Sequence, residues 1–420
     1  MASAGRKRNP SSVIDLLDSD DDDDDSVVEV VAVTKKPRRD SSSNNNDDNQ
    51  NSKKKKPAKL KDYNDDNNKQ DTSSSAVKPA SKASSKFDGP TKLSFNVATY
   101  NVWFGPPSQP QRMRALAQEL FARNTSQHPL WFIGFQEVTL ALWATLKPLL
   151  EAQGYRVFVQ DLGGMDDAYG VALAVLQKED PFGGKLRIIS GGWQPYQNSI
   201  MQRGFLHCRC QMPHSNQQIL FTTTHLESFL VGGLNGRPFD GAAQRKEQII
   251  QLERFCINHQ NRFPDLSVAI ITGDLNWDDE RVQATKNPGN DPKLLSVLQK
   301  SDWKDSWFAV RDKRRRAVAD KNGKVKKKDE PQCYTYDCKE SAMMGGYLRR
   351  RFDRILLRTQ QQKGDATVNV RERGIELIGK EPIEGLQWRK ENQFNGNIKV
   401  VPVLPSDHFG YVATYEATID

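Results

Sequence analysis

The sequence predicts an α/β layered fold behind a disordered N-terminal tail. Three observations point there. Helical and extended patterns alternate along residues 91–420. Several of the extended segments are unbroken apolar runs, as strands covered on both faces are. The composition also changes abruptly near residue 90. At 36% hydrophobic and 27% charged, the chain is polar for a wholly globular protein, which fits a long unfolded portion diluting an ordinary core.

Residues 1–90 are Ser, Asn, Asp and Lys tracts such as "SSSNNNDDNQNSKKKK", with almost no aromatics, and they read as disorder. Residues 91–420 read as one folded domain. The tail holds 17 basic and 17 acidic residues. The net charge of +8 therefore lies in 91–420, with 44 basic against 36 acidic residues. A polyanion such as nucleic acid is the expected partner of that folded part. Three features interrupt the tail. "SSVIDLLDSDDDDDD" places Val13, Ile14, Leu16 and Leu17 beside the acidic run Asp20–Asp25. It resembles a SUMO-interaction strand, which would add to a sheet edge while the acids meet a basic rim. "VVEVVAV" at 27–33 reads as a weaker copy. "GRKR", "KKPRR" at 35–39 and "KKKKPAKLK" at 53–61 read as nuclear-import signals, so a nuclear protein is expected. The N-terminus has no apolar block of a secretory signal, and no apolar stretch approaches the ~20 residues of a membrane helix. A soluble intracellular monomer without a membrane partner is the expectation.

From residue 91 the elements follow in order. "LSFNVATYNV" alternates as a strand. "PQRMRALAQELFARN" is helical, with Pro110 at its start. "PLWFIGFQEV" is a buried strand, and "TLALWATLKPLLEAQG" a helix closed by Gly154. "YGVALAVL", "FLHCRCQM" and "QILFTTTHL" are strands. "GAAQRKEQIIQLERFCIN" is a long amphipathic helix, followed by the strand "LSVAIITGD". "RFDRILLR", "IELIG" and "YVATYEATI" complete the set. Five cysteines occur, at 208, 210, 256, 333 and 338; their spacings match no zinc site, and reduced thiols are expected.

Polar residues recur at strand ends. Asn101 closes "ATYNVW", and Gln136 with Glu137 closes "IGFQEV". His225 ends "TTTHLES", with Glu227 and Ser228 behind it. Asp274 and Asn276 end "ITGDLN", Asp353 opens "RFDRILL", and Asp407 with His408 precedes the last strand in "LPSDHFG". Ligands of α/β sheets gather beyond strand ends. The chain has six histidines, and two of them fall in this set.

The ordered set N, QE, HLES, GDxN and SDH resembles the endonuclease/exonuclease/phosphatase superfamily of Mg²⁺-dependent phosphodiesterases. Within it, "TTTHLES", "CYTYD", "RFDRI" and "LPSDHFG" are similar to the tyrosyl-DNA phosphodiesterase branch, over about residues 94–418. The resemblance implies a layered sandwich of two central sheets flanked by helices. It implies hydrolysis of the 5′-phosphotyrosyl bond left on DNA ends by a trapped topoisomerase II, releasing a 5′-phosphate for repair.

The chemistry explains the residue types. Phosphodiester hydrolysis needs an in-line water, neutralised phosphoryl oxygens and help for the leaving oxygen. Glu137 is a hard oxygen ligand suited to Mg²⁺, or to Mn²⁺. Asp274 can take a proton from the attacking water or hold it in line. Asn101 and Asn276 can fix water and phosphate without repelling an anion. The resemblance pairs His408 with Asp353, sets Asp407 near the metal's waters, and turns His225 and Ser228 towards the phosphate and leaving oxygen. By the same likeness Tyr169, Arg203, Tyr336 and Phe352 would line a groove for a DNA end, the aromatics stacking and the arginine meeting phosphate.

Three departures stand out. The family usually has Leu-Arg-Asp after GDxN; this chain has Trp277-Asp278-Asp279, an acid where a cation is expected near the substrate. The stretch 229–241 is longer than the family's loop. Residues 311–328, "RDKRRRAVADKNGKVKKK", look like an insertion with ten basic and two acidic residues, either an added nucleic-acid grip or a linker. Rival functions are an abasic-site endonuclease, a deadenylase, a lipid phosphodiesterase, or a non-enzymatic SUMO-binding protein. "QEVT" lacks the lysine that abasic endonucleases carry soon after QE.

Overall fold

A computed structural model of the chain describes residues 90–161, 168–180, 183–234, 237–278, 291–300, 302–318, 333–345, 348–360, 368–391 and 397–419. The SUMO-like strand, its weaker copy, the basic import-like clusters, Asp279 and 319–328 lie outside the described residues.

The elements run β1 (Thr91–Asn101), α1 (Gln109–Phe121), β2 (Leu130–Val138), α2 (Leu140–Ala152), β3 (Tyr155–Val159), β4 (Gly170–Leu176), β5 (Arg187–Pro195), β6 (Gly204–Gln211), β7 (Gln218–His225), β8 (Leu230–Leu234) and β9 (Arg237–Phe239). There follow α3 (Ala242–Arg262), β10 (Leu266–Asp274), α4 (Leu294–Val297), β11 (Lys304–Asp305), α5 (Ser306–Val318), β12 (Tyr336–Asp337), β13 (Arg349–Arg350), β14 (Asp353–Thr359), β15 (Val368–Ile378), β16 (Gln387–Glu391), β17 (Ile398–Pro402) and β18 (Gly410–Ile419). Two six-stranded sheets form, ordered β15-β18-β1-β2-β4-β3 and β11-β14-β10-β7-β6-β5. Three two-stranded ribbons accompany them: β8–β9, β12–β13 and β16–β17.

The apolar run before Gly273 shows why this is a layered fold. Val268 and Ile270 point into the core between the sheets, whereas Ala269 and Ile271 pack with Ile249, Leu252 and Cys256 of α3 on the outer face. A strand covered on both faces has no polar alternation to show. The sheets meet face to face: Phe132 stacks on Phe221 with centroids 4.5 Å apart. Between them Gly134 admits no side chain, since a Cβ there would lie 2.4 Å from Thr223 Oγ1. Thr139 caps α2 by accepting from the Leu142 amide.

Two parallel pairings bring the functional strand ends level. In the first sheet β1 pairs with β2, placing Asn101 beside Gln136. In the second, β10 pairs in parallel with β7 and antiparallel with β14, placing Asp274 between His225 and Asp353. None of the five cysteines is in a disulfide, and Cys208 and Cys210 face the same way at 3.6 Å between sulfurs.

The outer edge of the first sheet is β15. Here α5 lies, and with it the described part of the basic run. Lys313 donates to the Glu372 carbonyl at 2.8 Å and Arg314 to the Ile375 carbonyl at 3.0 Å. Arg311 pairs with Asp312 and lies over Phe308. Residues 311–318 are thus helix rather than linker, and these cations are engaged with the protein itself. Among the described residues no helix is long and apolar enough to cross a membrane.

Candidate active site

The ends of β1, β2, β7 and β10 and the start of β14 converge with the loop before β18. Asn101 donates through Nδ2 to Asp274 Oδ2 at 2.9 Å and to Glu137 Oε1 at 3.1 Å. Its Oδ1 accepts the Trp103 amide, and its carbonyl accepts the Ser406 hydroxyl. Ser406 in turn accepts the His408 amide, tying the SDH loop to the end of β1.

Three backbone positions here lie in the left-handed region: Trp103 at φ 53°, Glu137 at φ 59° and Asn276 at φ 46°. Asparagine tolerates this region; tryptophan and glutamate rarely adopt it. Glu137 gets there because the β2–β4 register shifts between Phe135 and Val138, a bulge that re-aims one side chain. Gln136 turns the other way. It is buried between the sheets, donating to Thr99 and Thr223 hydroxyls, so it joins the layers and does not face the site. The turn after β10 is fixed by Gly273, where a Cβ would lie 1.9 Å from the Thr224 carbonyl oxygen. The Asn276 amide then donates to Asp274 Oδ1 at 2.8 Å, holding the carboxylate for its other contacts.

Two histidines flank Asp274 Oδ2, His225 Nε2 at 3.5 Å and His408 Nε2 at 3.9 Å. Their surroundings are opposite. Arg203 donates to His225 Nδ1 at 2.7 Å. A guanidinium is donor only, so Nδ1 is an acceptor and the proton of neutral His225 sits on Nε2. Burial, then Arg203, hold its pKa well below the ordinary 6.5. His408 Nδ1 meets Asp353 Oδ2 at 2.9 Å. Burial alone would lower its pKa, but Asp353 and then Asp407 and Asp274 raise it well above 6.5, which favours the cationic form at neutral pH. The main-chain amides of Phe352 and Asp353 both donate to Thr335 Oγ1, and the Phe409 amide donates to the Thr335 carbonyl. Thr335, in "CYTYD", therefore aligns Asp353 with His408.

The carboxylates outnumber the cations set among them, and burial dominates their titration. Burial, then Asp407, raises Glu137 to about 7. Burial, then Asp353, raises Asp274 to about 6. Burial also raises Asp407, which His408 and the buried Arg112 pull back. Glu137, His225 and Asp274 bring ligand atoms within 4.8 Å of one another, as do Asp274, Asp353 and His408. His225 and His408 both keep their Nε2 protons, so the oxygen donors are the fitting ligands. A set of hard, crowded carboxylate oxygens suits a divalent cation of the Mg²⁺ class.

Two walls border these groups. On one, Arg203 donates to the Tyr169 hydroxyl at 2.9 Å and to Ser228 Oγ at 3.0 Å. Its guanidinium lies 4.8 Å from the Tyr169 centroid, and Tyr169 stacks on Phe104 at 4.6 Å. Asn276 Nδ2 also donates to Ser228 Oγ, at 3.1 Å. On the other, Tyr336 stands edge-on to His408 at 5.1 Å and Phe352 lies 5.8 Å from Tyr336. All thirteen candidate residues of the folded part are thus gathered in one region. Three supporting residues go beyond them. Thr335 is one. Glu227 is buried and accepts from Ser199 Oγ and from the amides of Ile200 and Met201, which shapes the loop carrying Arg203. Arg112 is the third; it donates to the carbonyls of Trp103 and Gly105.

No family model and no curated protein matches the chain. Among solved structures it is similar to truncated TDP2 of Caenorhabditis elegans, at 20% identity and a TM-score of 0.51, covering 77% of this chain and 97% of that one. It is similar to D. rerio TDP2 complexed with a single-strand DNA product, at 20% identity and a TM-score of 0.50, covering 77% and 99%. An endonuclease/exonuclease/phosphatase family protein from Bacteroides thetaiotaomicron matches at 17% identity and a TM-score of 0.47, covering 78% and 98%. The two TDP2 structures share the fold of this chain, the two-sheet sandwich with flanking helices that the sequence predicts.

Proposed function

We propose that the chain is a divalent-metal-dependent phosphodiesterase that hydrolyses the 5′-phosphotyrosyl bond at DNA ends. One observation carries the reading: a carboxylate, Asp274, lies between a neutral and a cationic histidine within ligand distance of Glu137. Those are the parts that an in-line displacement at phosphorus requires.

Glu137 would hold the cation, with Asp407 beside its waters. When bound, the cation supplies charge neutralisation at the phosphoryl oxygens. Asp274, fixed by Asn101 and by the Asn276 amide, accepts the proton of the attacking water as its oxygen bonds to phosphorus. His408, kept cationic by Asp353, stabilises charge on a non-bridging oxygen. The bond from phosphorus to the tyrosyl oxygen breaks, leaving a 5′-phosphate. His225 is neutral with its proton on Nε2, so it offers a hydrogen bond to the departing oxygen and no acidic proton. A phenolate, with a pKa near ~10, can leave with that help; an alkoxide is far more basic. The neutral histidine beside stacked Tyr169 and Arg203 thus favours a tyrosyl leaving group over an internal nucleotide. A DNA end carrying a trapped topoisomerase II tyrosine is the substrate this reading implies.

The test compares kcat/KM of the full chain on a 5′-phosphotyrosyl strand with that on internal, abasic and poly(A) phosphodiesters of similar length, at one Mg²⁺ concentration. The tyrosyl strand should be the best substrate by far. An abasic or poly(A) substrate that wins would overturn the tyrosyl assignment in favour of another phosphodiesterase.

A further inference from the structure

The family pattern places a cation two residues after the asparagine of GDxN, and this chain has Asp278 there. The structure shows where that acid is directed. Asp278 Oδ2 lies 2.6 Å from Arg350 Nε, with the two side chains 7% and 22% exposed. The acid is covered, and the arginine over it keeps an open side.

Arg350 belongs to the β12–β13 ribbon, directly opposite Tyr336. Opposed residues of an antiparallel pair project from the same face of the ribbon. Asp337 and Arg349, the next pair along, take the other face and meet there at 2.6 Å. Arg350 therefore shares the face on which Tyr336 packs against His408, the face turned to the site. Its Nη1 donates to the Arg349 carbonyl at 2.9 Å. Nε and Nη1 are thus engaged with the protein, while the side chain as a whole stays 22% exposed.

We infer that Arg350, aimed by Asp278, is a substrate-binding residue that contacts a phosphate of the nucleic-acid strand beside the scissile end. The cation missing at 278 is supplied from the facing ribbon, and Asp278 acts as its positioning residue. This rests on the phosphodiesterase reading above. The acid's burial explains why its charge does not repel a polyanion: it is neutralised at short range before any phosphate arrives.

The test measures binding of a single strand with a non-hydrolysable 5′ end by fluorescence anisotropy across a salt series, for the full chain, Arg350→Ala, Asp278→Asn and the double variant. Arg350→Ala should weaken binding about tenfold, as loss of a charged hydrogen bond does. It should also flatten the log–log salt slope by about 0.7, the share of one phosphate on a single strand. Asp278→Asn should weaken binding less. The double variant should equal Arg350→Ala alone, because the aspartate has nothing left to aim. Arg350→Lys should restore the slope while leaving part of the affinity lost, which separates charge from folding. A slope unchanged in Arg350→Ala, or strictly additive single effects, would overturn the inference. If the slope responds but the native chain cleaves no phosphodiester, the contact stands and the enzymatic reading falls. If the native chain cleaves and the slope is unmoved, the reverse holds.

Discussion

The two flanks of Asp274 use the same side chain to opposite ends. On the β7 flank, a cation behind the ring strips His225 of a second proton. On the β18 flank, an anion behind the ring keeps both protons on His408. Both rings are buried, and burial alone disfavours the charged form of either one. On His225 Arg203 adds to burial, and on His408 Asp353, joined by Asp407 and Asp274, outweighs it. A histidine motif therefore says little about its role until the residue behind it is known; here those residues are Arg203 and Asp353, each remote in sequence.

The cationic flank should show the largest losses. Asp353→Asn and His408→Ala should each lower kcat by ~10²–10⁴, as Asp274→Asn should, with modest changes in strand binding. The double variant Asp353→Asn/His408→Ala should be no slower than the worse single, since the pair acts as a unit. Near-normal turnover in Asp353→Asn would show that the histidine needs no anion behind it.

The neutral flank should respond to the leaving group. His225→Ala is expected to cost a tyrosyl substrate about tenfold or less and a substrate with an alkoxide leaving oxygen ~10²-fold or more. Equal losses on the two substrates, measured as kcat on matched strands, would place His225 elsewhere in the reaction.

The carboxylates between the flanks work against the stability of the fold. Burial, then the neighbouring carboxylates, pushes Glu137 up to about 7 and Asp274 up to about 6, from 4.5 and 3.8. A raised carboxylate pKa means that the folded chain prefers the protonated form. Its stability is full below the unfolded pKa and is lost as pH rises through the folded one. Without divalent metal, Tm should therefore fall between about pH 4 and pH 7, and Mg²⁺ should restore more at pH 8 than at pH 5. Glu137→Gln should be more stable than the native chain at pH 8 without metal, on the order of 1–3 kcal/mol, and should gain little from Mg²⁺. Calorimetry at three pH values would decide; a native chain that is most stable at pH 8 without metal would refute it.

The smallest effect lies far from the histidines. Replacing Lys313 and Arg314 by Gln uncovers two carbonyls of the edge strand β15. We expect a loss of under about 1 kcal/mol by denaturant titration, and more self-association by light scattering. A flattened salt slope for DNA binding instead would return these cations to the nucleic-acid grip.

Much of this was legible in the chain itself. The apolar runs before Glu137, His225 and Asp274 gave buried strands, and the polar residues that end them are the ones the fold gathers into one cluster. What stayed hidden was set by distant partners. Gln136 and Glu137 are neighbours with similar side chains, yet a bulge sends one into the core and the other to the site. Edge strand β5, "RIISGGWQP", is mostly exposed and carries two glycines, so neither burial nor alternation marks it. The ribbons are too short for any periodicity. Asp278 read as a lost cation because its arginine comes from a distant part of the sequence. The basic run read as a nucleic-acid grip or a linker because nothing in it foretells the carbonyls of β15.

The left-handed backbone at Glu137 has an evolutionary consequence. Under the proposed function, a position strained in its main chain and crowded in its charge would be kept by selection on turnover and opposed by selection on abundance. A duplicated copy relieved of catalysis should lose this residue before its neighbours. Glycine would relax the φ of 59°, and glutamine would remove the charge. Silenced relatives of this chain should then be recognisable by Gly or Gln at 137 beside an intact Asn101 and an intact Asp353–His408 pair.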